Sequence, residues 1–196
     1  ETNVTGTLNL LELCREFGVQ KFILASTSSL YGKENPMPYR EDADTNRPLS
    51  PYAASKKAAE TLAYTYHYLY GLDVTVLRYF TVYGPRQRPD MAFCKFLRAI
   101  YAGQPIALYG DGEQTRDFTF VADIVQANLL ALERGEPGSV FNIGGGSRVT
   151  LNHCLEVLRQ ITGREVRVAH QPEQPGDVRH TWADTTAAQR ILGFYP

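Results

Sequence analysis

The feature that most narrows the fold is an order of elements within the first 80 residues: amphipathic stretch, apolar run, amphipathic stretch, apolar run. Val4, Leu8, Leu11, Leu13 and Phe17 recur at helical spacing and are closed by Gly18, which predicts a helix with a glycine stop. Lys21-Phe22-Ile23-Leu24-Ala25 then has the short, continuous apolar character of a buried parallel strand. A long helix is predicted over 52–70, ended by Gly71, and Asp73-Val74-Thr75-Val76-Leu77-Arg78-Tyr79-Phe80 is a second buried strand rich in β-branched and aromatic residues. Strand, helix, strand requires a parallel sheet, because parallel neighbours need a long crossover. Between the first strand and the long helix, Pro36, Pro38, Pro48 and Pro51 predict a loop crossing the surface over 31–51.

Beyond Gly84-Pro85 the texture changes. A helix is expected over 91–101, a short strand over 105–109, a glycine turn at Gly110-Asp111-Gly112, a helix over 122–133 and a strand over 140–143. Gly144-Gly145-Gly146 lacks the Lys-Ser/Thr of a phosphate loop and is expected to be a flexible turn beside a cleft. Helices over 150–162 and 184–192 finish the chain. The last third therefore suits a small α+β module over the carboxyl edge of the sheet, where doubly wound folds bind ligands. The expected class is α/β, with two lobes and one cleft.

Composition limits the partners. Lys+Arg 20 against Asp+Glu 21 gives a net charge of -1, so no global positive field recruits nucleic acid or an anionic membrane. Any anionic ligand must be held by locally placed groups. The three cysteines, Cys14, Cys94 and Cys154, are widely spaced within apolar helical patterns, which fits a reducing cytoplasm better than a disulfide framework. His67, His153, His170 and His180 show no metal-ligand spacing, so no metal is expected. No apolar run is long enough to span a bilayer, and no membrane association is expected.

The chemistry-bearing signal is Ser50-Pro51-Tyr52-Ala53-Ala54-Ser55-Lys56. Tyr52 and Lys56, four apart on one helix, share a face one turn apart. A tyrosine hydroxyl, with a reference pKa of ~10, is a poor base at neutral pH unless a nearby cation favours the phenolate. Lys56 supplies that cation. The spacing by itself equally suits a packed tyrosine and a solvated lysine. Ser26-Thr27-Ser28-Ser29 presents four hydroxyls at the end of the first strand, where the helix bearing Tyr52 begins.

Taken with Asn3, Gly6-Thr7, Tyr31-Gly32, the segment Arg78-Tyr79-Phe80-Thr81-Val82-Tyr83-Gly84-Pro85-Arg86, the segment 109–118 and Pro175-Gly176-Asp177, these motifs closely resemble the extended short-chain dehydrogenase/reductase family of NAD-dependent epimerases and dehydratases. The resemblance covers essentially the whole chain. It implies that residues 1–84 form the later half of an NAD-binding Rossmann domain. Residues 85–196 then form mainly a nucleotide-sugar lobe, with 116–146 partly returning to the Rossmann unit. It also implies roles: Thr27, Tyr52 and Lys56 catalytic; Asn3 supporting the lysine, usually through water; Ser26, Tyr79 and Phe80 beside the cofactor, NAD. On the substrate side it implies Arg116 on the diphosphate, Tyr109 against the uracil ring of a UDP-sugar and Asp177 on the ribose hydroxyls. A guanidinium fork suits a diphosphate.

Dehydratases of this family carry Asp-Glu after the catalytic Thr, whereas this chain has Ser28-Ser29, neither of which can do acid or base work at neutral pH. The Glu usual in UDP-glucuronate decarboxylases is also missing. The segment from Phe80 through Thr81, Arg88, Met91 and Ala92 is most similar to the UDP-glucuronate 4-epimerases. Arg88, with the hydroxyls of Thr81 and Ser28, makes a fitting pocket for a sugar carboxylate, though a loop arginine also suits plain solvation. The implied reaction is transient oxidation: Tyr52 takes the 4-hydroxyl proton as hydride moves to NAD, and the 4-keto sugar turns and is reduced on its other face. UDP-glucose 4-epimerisation and UDP-glucuronate decarboxylation stay as alternatives. A catalytically silent nucleotide-sugar-binding protein is the alternative of another class.

Two departures stand out. Gln174 replaces a family arginine, with Arg179 nearby to compensate, and no Gly-x-x-Gly-x-x-Gly turn precedes the helix bearing Asn3. The chain is accordingly expected to be N-terminally truncated, to bind NAD poorly alone and to expose a sheet edge. The helix faces with Leu62, Tyr64, Tyr68 and Leu69 suit either a homodimer contact or core packing.

Overall fold

A computed structural model describes residues 1–174 and 176–196. Pro175 of the Pro175-Gly176-Asp177 motif lies outside the described residues. Helix α1 (Thr7–Phe17) is entered through a π-helical turn (Thr2–Gly6), and Gly18 ends it in the left-handed conformation with φ 64°. That conformation is open to glycine at little cost. Strand β1 (Lys21–Thr27) follows, then a 3-10 turn (Ser28–Tyr31) and helix α2 (Pro51–Tyr70). Ser50 caps α2 by accepting from the Ala53 amide at 3.1 Å, and Pro51 fits the first turn, where its missing N–H is no loss.

Strands β2 (Asp73–Tyr79) and β3 (Val82–Tyr83), helix α3 (Ala92–Tyr101) and strands β4 (Ile106–Tyr109), β5 (Thr115–Asp117) and β6 (Thr119–Phe120) come next. Helix α4 (Val121–Arg134), strands β7 (Ser139–Ile143) and β8 (Arg148–Thr150), helix α5 (Leu151–Thr162) and strand β9 (Val168–Gln171) complete the order. The parallel sheet runs β1-β2-β7, with Thr27 opposite Tyr79 and Tyr79 opposite Ile143. Three strands thus end together. Helices cover both faces: Leu11, Ala59, Ala63 and Tyr66 of α1 and α2 pack on Leu24, Val74 and Val76, while Ile124, Ala127 and Ala131 of α4 pack on Leu77, Phe141 and Ile143. This is the expected α/β architecture. A separate core of Phe96, Ile100, Ile106, Leu108 and Leu155 joins α3, β4 and α5.

Several expectations need correction. The segment 31–51 is no simple surface loop, because Tyr31 and Tyr39 are each only 2% exposed and stack with ring centroids 4.8 Å apart against Phe80. The last helix begins at Thr186, not at 184: the Asp184 side chain accepts from the Thr186 amide at 2.9 Å, a turn that competes with helix. Gly144 and Gly145 are tightly packed where they meet β5, while Gly146 is exposed. The Gly145 amide donates to Asp117 at 2.6 Å, and a Cβ on Gly144 would lie 2.7 Å from that carboxylate. Strands β3, β5, β6, β8 and β9 span two to four residues each, too few for alternation to register in sequence.

Candidate active site

The common strand end sets the site. A cavity of about 670 Å³ opens there, bounded by Ser26 and Thr27 at the end of β1, by Ser28 and Ser29 after it, by Tyr52 at the start of α2, and by the chain from Tyr79 through Arg88 and Met91. That volume suits a small ligand. Tyr52 reaches it because α2 starts only after Ser50, which leaves the ring in the first turn and 51% exposed. One turn on, the Lys56 ammonium donates to the Ala25 carbonyl of β1 at 3.0 Å, and its burial pushes its pKa below the ordinary lysine value. A cation with one fixed acceptor is held beside the Tyr52 face of the helix.

Thr27 lies 7% exposed, its hydroxyl accepting from the Ser29 amide at 3.2 Å and donating to Ser29 Oγ at 3.2 Å. Both hydroxyls therefore stand at the cavity wall in a fixed turn. Ser26 also lines the cavity, while its hydroxyl donates to the Glu60 carboxylate at 2.5 Å. Asn3 donates to Ser55 Oγ at 2.9 Å, and Ser55 Oγ donates to the Tyr52 carbonyl at 2.7 Å. Asn3 thus ties the first helical turn to the helix bearing Tyr52 through Ser55, without a direct bond to Lys56. Tyr79 donates to Asn128 at 3.0 Å, and burial pushes its phenol above the usual value. The Phe80 ring is 1% exposed in the Tyr31–Tyr39 cluster, so that residue borders the cavity mainly through its backbone.

Thr81 and Met91 also line the cavity, whereas Ala92 opens α3 as an exposed residue and does not. Arg88 lines it with an exposed guanidinium, paired to Asp90 at 3.1 Å and resting 3.7 Å from Met91 Sδ. Its neighbour Arg86 holds φ 66°, a backbone conformation unusual for a side-chain-bearing residue. Sequence reasoning passed over Arg86, Gln87 and Val121 as cavity residues; the proline-rich loop gives no periodicity from which to read inward-facing positions.

Two further hollows continue from this cavity. Ser28, Ser29 and Thr81 are shared with one of about 140 Å³, whose far wall holds Arg116 and Asp177. Asp177 is shared in turn with a hollow of about 40 Å³ walled by Tyr109, Gln114 and Arg179. Here the charges face one another: Arg116 pairs with Asp177 at 2.8 Å, and Arg179 pairs with Asp111 at 2.6 Å and Glu173 at 3.0 Å. Tyr52 at one end, the Arg116–Asp177 pair between and the Tyr109 ring at the other thus line three hollows linked by shared residues. Among the described residues no group of His, Cys, Asp or Glu could hold a metal ion, and no helix is long and apolar enough to cross a membrane.

A parallel strand end carrying Thr27, with Tyr52 and Lys56 one turn apart on the following helix, defines a short-chain dehydrogenase-like site. The chain belongs to the NAD dependent epimerase/dehydratase family, whose model matches residues 1–144. It is 47% identical over 197 residues to the UDP-glucuronate 4-epimerase of Thermodesulfobacterium geofontis, covering all of this chain and 60% of the relative. Among solved structures, the UDP-glucuronic acid 4-epimerase of Bacillus cereus in complex with UDP-glucuronic acid and NAD superposes with a TM-score of 0.94 at 39% identity, covering 99% of this chain and 62% of that one. A dTDP-glucose 4,6-dehydratase from Streptomyces venezuelae, with NAD bound, also gives a TM-score of 0.94, at 32% identity and covering 100% of this chain and 61% of that one. Backbone likeness therefore does not separate epimerase from dehydratase. The chain spans between 49% and 64% of the length of similar curated relatives, 60% of the one named above.

Proposed function

We propose that the protein carrying this sequence is a cytoplasmic, NAD-dependent 4-epimerase of UDP-glucuronate, giving UDP-galacturonate. The observation that carries this reading is one cavity wall that places Thr27 and Tyr52 with Ser28 and Ser29, where a dehydratase would need an acid and a base. The relative and the structure named first above, both UDP-glucuronate epimerases, support the same substrate.

Tyr52, Lys56 and the backbone from Tyr79 to Thr81 form a wall that fits the nicotinamide and ribose end of NAD. The sequence supplies no glycine turn for its pyrophosphate. When bound, NAD would accept the C4 hydride of the sugar and return it. The Lys56 ammonium favours the phenolate form of Tyr52, which takes the 4-hydroxyl proton and becomes a neutral phenol, and the Thr27 hydroxyl holds the sugar oxygen through the change. Arg116 exchanges Asp177 for the diphosphate, and Tyr109 stacks on the base. Asp177, released, accepts from the ribose.

A 4-keto uronate is a β-keto acid, which loses carbon dioxide when the bond to the carboxylate aligns with the ketone π system. Arg88, leaving Asp90 for the carboxylate and helped by Ser28 and Thr81, holds that bond out of alignment. In this reading residues 1–84 serve the cofactor and 85–196 mainly the nucleotide sugar, with 116–146 partly returning to the cofactor domain. Two copies pair through the exposed faces of α1 and α2, where Phe17, Tyr64 and Tyr68 are 73%, 60% and 76% exposed.

The test is product analysis with NAD, using the polypeptide together with whatever flanks it in its gene, on UDP-glucuronate, UDP-glucose and their C4 epimers. Interconversion of the uronates is expected. UDP-pentose as the main product would make it a decarboxylase, and binding without turnover a silent receptor. Arg88→Ala should lose about 10- to 100-fold more activity on UDP-glucuronate than on UDP-glucose. Equal losses would remove the anchor.

A further inference from the structure

Beneath the Tyr52–Lys56 pair lies a buried ion pair that the reaction does not use. Glu60 is one more turn along the same face of α2, and Arg78 comes from β2; their side chains are 7% and 5% exposed. The fork is complete, with Arg78 Nε on Glu60 Oε1 at 3.0 Å and Nη2 on Oε2 at 2.9 Å. Glu60 Oε1 also accepts from Ser26 at 2.5 Å. The remaining Arg78 nitrogen donates to the Tyr31 hydroxyl and to the Glu41 carbonyl, both at 3.0 Å, and Tyr31 donates on to Asn142 of β7 at 2.5 Å.

Four elements beside the cavity are thus bonded through this one pair: β1 through Ser26, α2 through Glu60, β2 through Arg78 and the 3-10 turn through Tyr31. Buried ion pairs are poor sources of stability but good sources of register, because a fork can be made at only one rotation and height of the helix. A second consequence concerns Lys56. Lysine and glutamate four apart on a helix are within pairing reach, yet Lys56 bonds the Ala25 carbonyl while both Glu60 oxygens are held elsewhere.

We propose that Glu60 and Arg78 are positioning residues: the fork sets the rotation of α2 that brings Tyr52 opposite Thr27, and it keeps the Glu60 carboxylate from drawing Lys56 off its post. The proposal rests on the reading of Tyr52 and Lys56 as the reacting pair.

The test compares Arg78→Met, Arg78→Lys and the double replacement Glu60→Met/Arg78→Met in the NAD-loaded protein. Two readouts are taken: kcat and KM on the UDP-sugar turned over, and the rate of amine acylation at Lys56 measured by peptide mapping without substrate. With Arg78→Met, kcat should fall about 10- to 100-fold with KM nearly unchanged. Lys56 should acylate about three- to tenfold more slowly, because a freed Glu60 stabilises its charged form. Arg78→Lys, which keeps the charge without the fork, should lose kcat to a lesser degree. The double variant, whose apolar pair preserves packing, should keep its fold and wild-type acylation but still lose kcat.

Wild-type kcat in a folded double variant would overturn the positioning role, and unchanged acylation in Arg78→Met would overturn the restraint on Glu60. If Arg78→Met does not fold, Arg78→Lys supplies the same two comparisons. If the wild-type protein turns over no UDP-sugar, the epimerase reading fails while the acylation rates still decide whether Arg78 restrains Glu60.

Discussion

The two ends of the ligand channel are built on opposite principles. At the Tyr52 end, positions are fixed from below by hydrogen bonds between buried groups: Ser26 on Glu60, Glu60 on Arg78, and Tyr31 between Arg78 and Asn142. At the Tyr109 end, opposite charges hold one another near the surface, the mostly buried Arg116 with the exposed Asp177 and the exposed Arg179 with Asp111 and Glu173. A proton and hydride exchange needs groups placed before the substrate arrives, since small misplacements cost large factors in rate. A diphosphate and a base need only charge and surface, and exposed ion pairs exchange partners at little cost. Under the proposed function, the contrast assigns rate to one end and affinity to the other.

The hardest test of that division is Tyr52→Phe, which removes one oxygen and should lower kcat by about 10²- to 10⁴-fold while leaving UDP affinity unchanged by calorimetry. A large affinity loss would break the separation. At the other end Arg116→Met should weaken UDP binding by about 10- to 100-fold, one or two charge-assisted bonds' worth, with a smaller effect on kcat. Asp177→Asn sharpens the point. As a ribose acceptor its loss should weaken binding less than tenfold, whereas tighter binding would make Asp177 only a mask over Arg116.

The smallest effect belongs to Glu156, whose carboxyl is held at about 2, first by its hydrogen bond to Arg159 and then by Gln160. A lowered carboxylate pKa stabilises the fold above the ordinary range and loses that contribution as pH falls toward 2. Both partners are about half exposed, so solvent screens the pair, and Glu156→Gln should leave the neutral-pH melting curve unchanged.

How much of this was legible in sequence follows the range of the interactions. Helix ends and strand order depend on neighbours: Gly18 and Gly71 stop their helices in the left-handed conformation, and Ser50-Pro51 opens α2, as the residues alone indicate. Tyr52 and Lys56 share a helical face for the same local reason. The bond from Ser26 to Glu60 was hidden because its partners lie 34 residues apart, and the Arg116–Asp177 pair spans 61. Gly144 and Gly145 looked like freedom in the chain, yet they are required by Asp117, which reaches Gly145 across 28 residues.

The sequence by itself therefore determined the long helices, the longer strands with the parallel pairing of the first two, and the spacing of Tyr52 and Lys56, since periodicity, caps and helical geometry act over a few residues. Only the tertiary structure decided which side chains face the cavity. It turned Tyr31 and Tyr39 inward, committed Ser26 to Glu60, left Ala92 outside and joined three hollows through Ser28, Thr81 and Asp177. Those outcomes follow from satisfying buried polar groups between segments far apart in the chain, a condition that applies only once the segments have met.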